Sequence, residues 1–97
     1  MELEWNEEKR RQALEERGLD FADVAKIDMS TAMTTIDNRQ DYGEQRFVTY
    51  GYIEGRLYVV CWTERDDRMR VISFRKANDR EQKIIASASE RPPPPHR

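Results

Sequence analysis

Residues 46–76 read RFVTYGYI-EG-RLYVVCWT-ERDDR-MRVISFRK, three runs of β-branched and aromatic residues parted by turn-forming or charged breaks. The composition of these runs predicts strands over 46–53, 56–63 and 69–76. Glu54-Gly55 is a two-residue break suited to a tight hairpin, and Glu64 to Arg68 is a longer polar connection, so an antiparallel meander follows. In the middle run both alternating sets, Leu57/Val59/Cys61 and Tyr58/Val60/Trp62, are apolar. A strand with two apolar faces sits centrally and is covered on both sides.

N-terminal to the meander, Asn6 can cap a helix over 7–17 whose first turn carries Glu7 and Glu8 and which Gly18 can stop in a left-handed conformation. Asp20 can cap a shorter second helix, in which Phe21, Val24, Ala25 and Ile27 form an apolar stripe. Residues 28–37, with Thr31, Thr34, Thr35 and Ile36, carry a weak strand signal, and Asp37, Asn38, Asp41 and Gly43 mark a polar loop. Beyond the meander, residues 79–88 have helical composition, and Glu90 to Arg97 hold a run of prolines that predicts an extended tail. The expected architecture is α+β: two N-terminal helices, an antiparallel sheet of three to four strands in a meander, and a C-terminal helix. One domain is expected over 1–90, with a proline-rich tail at 91–97.

Composition narrows the functional classes. In 97 residues, 37% charged and 37% hydrophobic, the core is small and lies under a charged shell. Seventeen Lys and Arg against nineteen Asp and Glu give a net charge of −2, which excludes coating of nucleic acid through bulk positive charge. RNA binding would need a local basic patch. The acidic stretch Met1 to Glu8 does not read as a signal peptide, and the longest apolar run, Leu57 to Trp62, is too short to span a bilayer. A cytoplasmic protein without membrane contact is expected. The single Cys61 lies inside that apolar run and reads as a buried small hydrophobe.

No phosphate-cradling glycine loop, zinc spacing or nucleophilic triad is present, and the only histidine, His96, falls in the tail. The chemistry-bearing feature is a concentration of arginine: Arg65, Arg68, Arg70 and Arg75, interleaved with Thr63, Ser73 and Tyr58. Guanidinium forks bind phosphate bidentately. Strand alternation places Ser73 with Arg75, Arg70 with Ile72 and Phe74 on the other face, and Thr63 with Arg65. A solvated sheet edge would have the same composition, and the pattern leaves both readings open.

A set of short motifs adds a resemblance. Trp5-x-x-x-Lys9, Gly18-Leu19-Asp20-Phe21, Asp41-Tyr42-Gly43-Glu44-x-Arg46-Phe47 with Gly51, Gly55-Arg56, Thr63-x-Arg65, and Arg70-x-Ile72-Ser73-x-Arg75-Lys76-Ala77-Asn78 together resemble the BrnT family of type II toxins over residues 5–82. The resemblance implies a RelE-like fold and an endoribonuclease that needs no metal or other cofactor and arrests translation. It also implies a BrnA-like antitoxin, a small dimeric DNA-binding protein that neutralises the toxin and represses the shared operon. Such toxins meet DNA only through that partner, and a toxin homodimer is a further possibility. By position, Arg65 and Arg75 match arginines of the family motif, Ser73 its serine, and Lys9 its first-helix lysine.

Where BrnT-like sequences carry Asn-x-x-Lys-His-Gly at the end of the first helix, this chain carries Ala13, Glu16 and Arg17 before Gly18. Metal-free RNA cleavage needs a base, an acid and cations for the phosphorane charge, and arginine serves only the last role. Glu64, beside Arg65, is a lesser candidate for the base. The expected site is therefore Lys9 and Arg17 from the first helix facing Arg65, Ser73 and Arg75 across the sheet. The alternative is a catalytically impaired binding module that keeps the fold and the antitoxin.

Overall fold

A computed structural model describes residues 2–90; the tail expected at 91–97, with His96, lies outside the described residues. In chain order the elements are β1 (Glu2–Trp5), α1 (Glu7–Arg17), a 3-10 helix (Phe21–Lys26), β2 (Met33–Ile36), β3 (Arg46–Ile53), β4 (Arg56–Arg65), β5 (Arg68–Lys76) and α2 (Asp79–Glu90). They build one five-stranded sheet in the order β1-β5-β4-β3-β2. The neighbours β2 to β5 run antiparallel, and β1 joins β5 in parallel.

This corrects the expected RelE-like arrangement of two helices and a three- to four-stranded antiparallel sheet on two counts. First, residues 2–5 form a strand. Leu3 and Trp5 pack against the core, while Glu2 and Glu4 pair with Arg68 and Arg70 at 3.4 and 2.8 Å. This alternation spans only four residues, too few to stand out against the acidic stretch around it. Second, the segment after Asp20 is a single 3-10 helix of six residues. Phe21 and Val24 of this helix and Ile27 just beyond it are buried, and their spacing of three lines them up on one side at 3.0 residues per turn.

The turns follow from backbone sign. Glu54 and Gly55 both have positive φ, 48° and 80°, the geometry of a primed two-residue turn. Asp66 and Asp67, at 53° and 62°, form a second such turn, so β4 and β5 extend to Arg65 and Arg68, and the expected longer connection shrinks to two residues.

β4 is the middle strand, and its two faces lead to different environments. On one face Val60, Val71 and Phe74 pack with Ala13 of α1 and with Phe21, Val24 and Ile27. On the other, Leu57, Val59 and Ala77 pack with Ile85 of α2. Between Cys61 and Trp62 the β4–β5 register shifts: Cys61 pairs with Ser73 and Trp62 with Val71, which leaves Ile72 as a bulge. The extra residue reverses the alternation, so Met69, Val71 and Phe74 share the α1 face and Arg70 joins Ser73 and Arg75 on the α2 face. The expected grouping of Arg70 with Phe74 is corrected for that reason.

Candidate active-site cleft

On the α2 face, α2 covers the sheet only in part, and a cleft of about 310 Å³ remains between β2, the loop after it, the central strands and the start of α2. Ser73 and Arg75 enter it from β5, Tyr50 from β3 and Glu81 from α2. Arg75 donates from Nη1 and Nη2 to the two carboxylate oxygens of Glu81, both at 2.8 Å. Glu81 is fixed in turn by a capping box: Asn78 Oδ1 accepts from the Glu81 backbone N–H at 2.8 Å, and Glu81 Oε1 accepts from the Asn78 N–H at 2.9 Å. The Arg75 hydrogen bonds hold the Glu81 pKa down at about 2, and the same bonds push that of Arg75 up. The pair is therefore charged at neutral pH.

The loop side of the cleft is built on Asp37, whose side chain is 1% exposed. Arg39 donates to it from Nε and Nη2 at 2.8 Å each and from its backbone N–H at 3.2 Å. Tyr42 Oη donates at 3.2 Å, and Cys61 Sγ lies 3.9 Å away. The guanidinium beside it keeps the Asp37 carboxyl well below the usual range, whereas burial first and the neighbouring Asp37 charge second push the Cys61 thiol up. Arg46 stacks over the Tyr42 ring at 4.0 Å and closes the loop onto β3.

The five residues read as a site from the sequence do not meet in one place. Ser73 and Arg75 share the cleft. Lys9 and Arg17 line a smaller pocket of about 180 Å³ between α1 and β5, with Gln12, Glu16 and Ile72, and Ser73 borders this one as well. β1 pairs with β5 only over Arg68 to Val71, so beyond that point Ser73 lies at an open strand edge. Arg65 falls on the Arg75 face, at the hairpin end, with Glu44 at 3.8 Å, and lines neither space. Glu64 pairs with Met69 on the opposite face, which separates it from Arg65. Asp37, Arg39 and Glu81 were missed. For Glu81 a signal existed, the Asn78-x-x-Glu81 capping box; Asp37 reads only as a loop residue, and nothing in the sequence singles out Arg39.

The family model described as "Ribonuclease toxin, BrnT, of type II toxin-antitoxin system" matches residues 5–81, from Trp5 through the Arg75–Glu81 pair. The chain belongs to the BrnT family. It is thus a ribonuclease toxin by family, and a type II system implies an antitoxin partner. A comparison with curated proteins finds no match. Among the described residues of this BrnT-family chain, no helix is long and apolar enough to cross a membrane, and no three His, Cys, Asp or Glu side chains are grouped to hold a metal.

Proposed function

We propose that the α2-side cleft cleaves RNA without a metal ion and so arrests translation, in a cytoplasmic toxin neutralised by a BrnA-like DNA-binding antitoxin. The observation that carries this reading is the Arg75–Glu81 pair: a guanidinium held at 2.8 Å by both carboxylate oxygens, in a cleft that Ser73 also lines. In the reaction the ribose 2′-oxygen attacks the adjacent phosphorus and the P–O5′ bond breaks. The 2′-hydroxyl proton leaves to water and the 5′-oxygen takes one from water, which yields a 2′,3′-cyclic phosphate and a 5′-hydroxyl. Arg75 offsets the charge that grows on the phosphorane, and the Ser73 hydroxyl donates to a non-bridging oxygen. A fixed cation costs no reorganisation when that charge appears.

A second reading, an impaired toxin-fold module that binds RNA and antitoxin, is favoured by one specific feature. The cleft carboxylates are held far below neutrality and the thiol is pushed up, so none of them is poised for proton transfer near pH 7. Incubating the purified chain with single-stranded RNA, with and without EDTA, separates the two. The cleavage reading expects products with 2′,3′-cyclic phosphate ends, formed at equal rates in both samples. Cleavage lost in EDTA sinks the metal-free mechanism, and intact RNA under conditions where it binds leaves the module.

A further inference from the structure

We infer that Arg39, positioned by the buried carboxylate of Asp37, is a second phosphate-binding cation of the cleft, so that the site grips RNA between Arg39 and Arg75. The inference rests on the reading of this cleft as the RNA site and adds to it a residue pair from the loop after β2.

The two arginines are built alike. Each guanidinium is clamped by two 2.8 Å hydrogen bonds to one carboxylate, Asp37 for Arg39 and Glu81 for Arg75. In both pairs the carboxylate is turned inward and the guanidinium outward: side-chain exposure is 1% against 75% for Asp37–Arg39, and 17% against 42% for Glu81–Arg75. The charges cancel on paper, yet the surface offered to a ligand is cationic. Unused donors remain, since Nη1 of Arg39 and Nε of Arg75 make no hydrogen bond to any described residue. Arg39 and Arg75 line the same cleft, so one bound polyanion can meet both.

A surface arginine needs no buried partner, and taking a carboxylate out of water is costly. Asp37 is nonetheless enclosed by donors from Arg39, Tyr42 and Cys61. This enclosure fixes the guanidinium in place, because a clamped fork loses less rotamer freedom when it meets phosphate. Asp37 is a positioning residue. Arg39 touches the substrate.

The test uses the whole chain and a single-stranded RNA oligonucleotide with every 2′-hydroxyl methylated, which cannot be cleaved by internal attack. Binding is measured by fluorescence anisotropy over a series of salt concentrations, and each variant is melted to confirm folding. Arg39→Ala is expected to weaken binding about tenfold at low salt and to lower the slope of log affinity against log salt by about 0.7, the value for one phosphate contact on a single strand. Asp37→Asn is expected to weaken binding as well, and to have no further effect in the Arg39→Ala background. A purely structural Asp37 would lower the melting temperature without that dependence on Arg39. Exposed Arg80→Ala, outside the cleft, serves as the control for general charge loss. If Arg39→Ala binds within twofold of the unaltered chain with an unchanged slope while Arg75→Ala loses binding, the second grip is wrong and the cleft reading stands. If neither arginine matters, or the unaltered chain does not bind, the cleft reading fails and takes this inference with it.

Discussion

The two faces of one sheet are built to opposite rules. Towards α1 and the 3-10 helix, Phe74, Val60 and Val71 are at most 2% exposed and pack with Ala13, Phe21, Val24 and Ile27. Towards α2 the cover is partial, and a cleft holds Asp37, Arg39, Ser73, Arg75 and Glu81. In a domain of this size one closed face must supply most of the apolar stabilisation. The other can then carry charged groups in fixed pairs, which contribute little to stability but hold cations where an anion can reach them. The bulge at Ile72 serves both rules at once: it keeps Phe74 in the core and turns Ser73 and Arg75 outward together.

The sharpest way to break this division is to empty the closed face. Phe74→Ala removes a ring that is 1% exposed and is expected to cost about 3–5 kcal/mol of stability, read as a large drop in urea midpoint. RNA cleavage per folded molecule should hardly change. A mild loss of stability with lost activity would mean that the faces are not separable.

Gly51→Ala is the next largest. A Cβ at Gly51 would collide with Cγ2 of Ile27, where the chain leaving the 3-10 helix presses on β3. An overpacked site of this kind is expected to cost about 1–3 kcal/mol, seen as a lower thermal midpoint. No change in the melt would show that the closed face is looser than its packing indicates.

The smallest effect belongs to the open face and depends on pH. The Glu81 pKa is depressed from 4.5 to about 2, so its pairing with Arg75 adds stability above pH 4.5, and that stability is lost as pH falls through 2. Glu81→Gln is therefore expected to be less stable than the unaltered chain at pH 6 by about 1 kcal/mol, a modest figure because water screens the half-exposed arginine. The gap should close as pH is lowered to 2. A gap constant over that range would remove the ion pair from the account.

The sequence carried some regions better than others, for physical reasons. Long runs of β-branched and aromatic residues made β3, β4 and β5 legible, because their side chains answer to burial on both faces. β1 was hidden by its length, and the 3-10 helix was read as an α-helix because an apolar stripe over seven residues fits periods of 3.0 and 3.6 almost equally. In the cleft, Arg75 and Ser73 were legible from strand composition. Asp37 and Arg39 were not, since a buried carboxylate in a polar loop looks like any turn residue until its neighbours are known. The bulge escaped because it changes side-chain direction without leaving a mark in composition. Lys9 and Arg17 were grouped with Arg65 and Arg75 although the sheet divides them, because a resemblance along the chain carries no information about sides.

Everything functional in this account passes through Arg75. The most direct measurement is the rate of RNA cleavage by folded Arg75→Ala against the unaltered chain, at matched concentration in EDTA, after both give a cooperative melt. Loss of a fixed cation from a phosphorane transition state costs about 3–4 kcal/mol, so the rate is expected to fall roughly a hundredfold to a thousandfold. Equal rates in the two proteins would return Arg75 to the ordinary charged surface and contradict the assignment of the cleft.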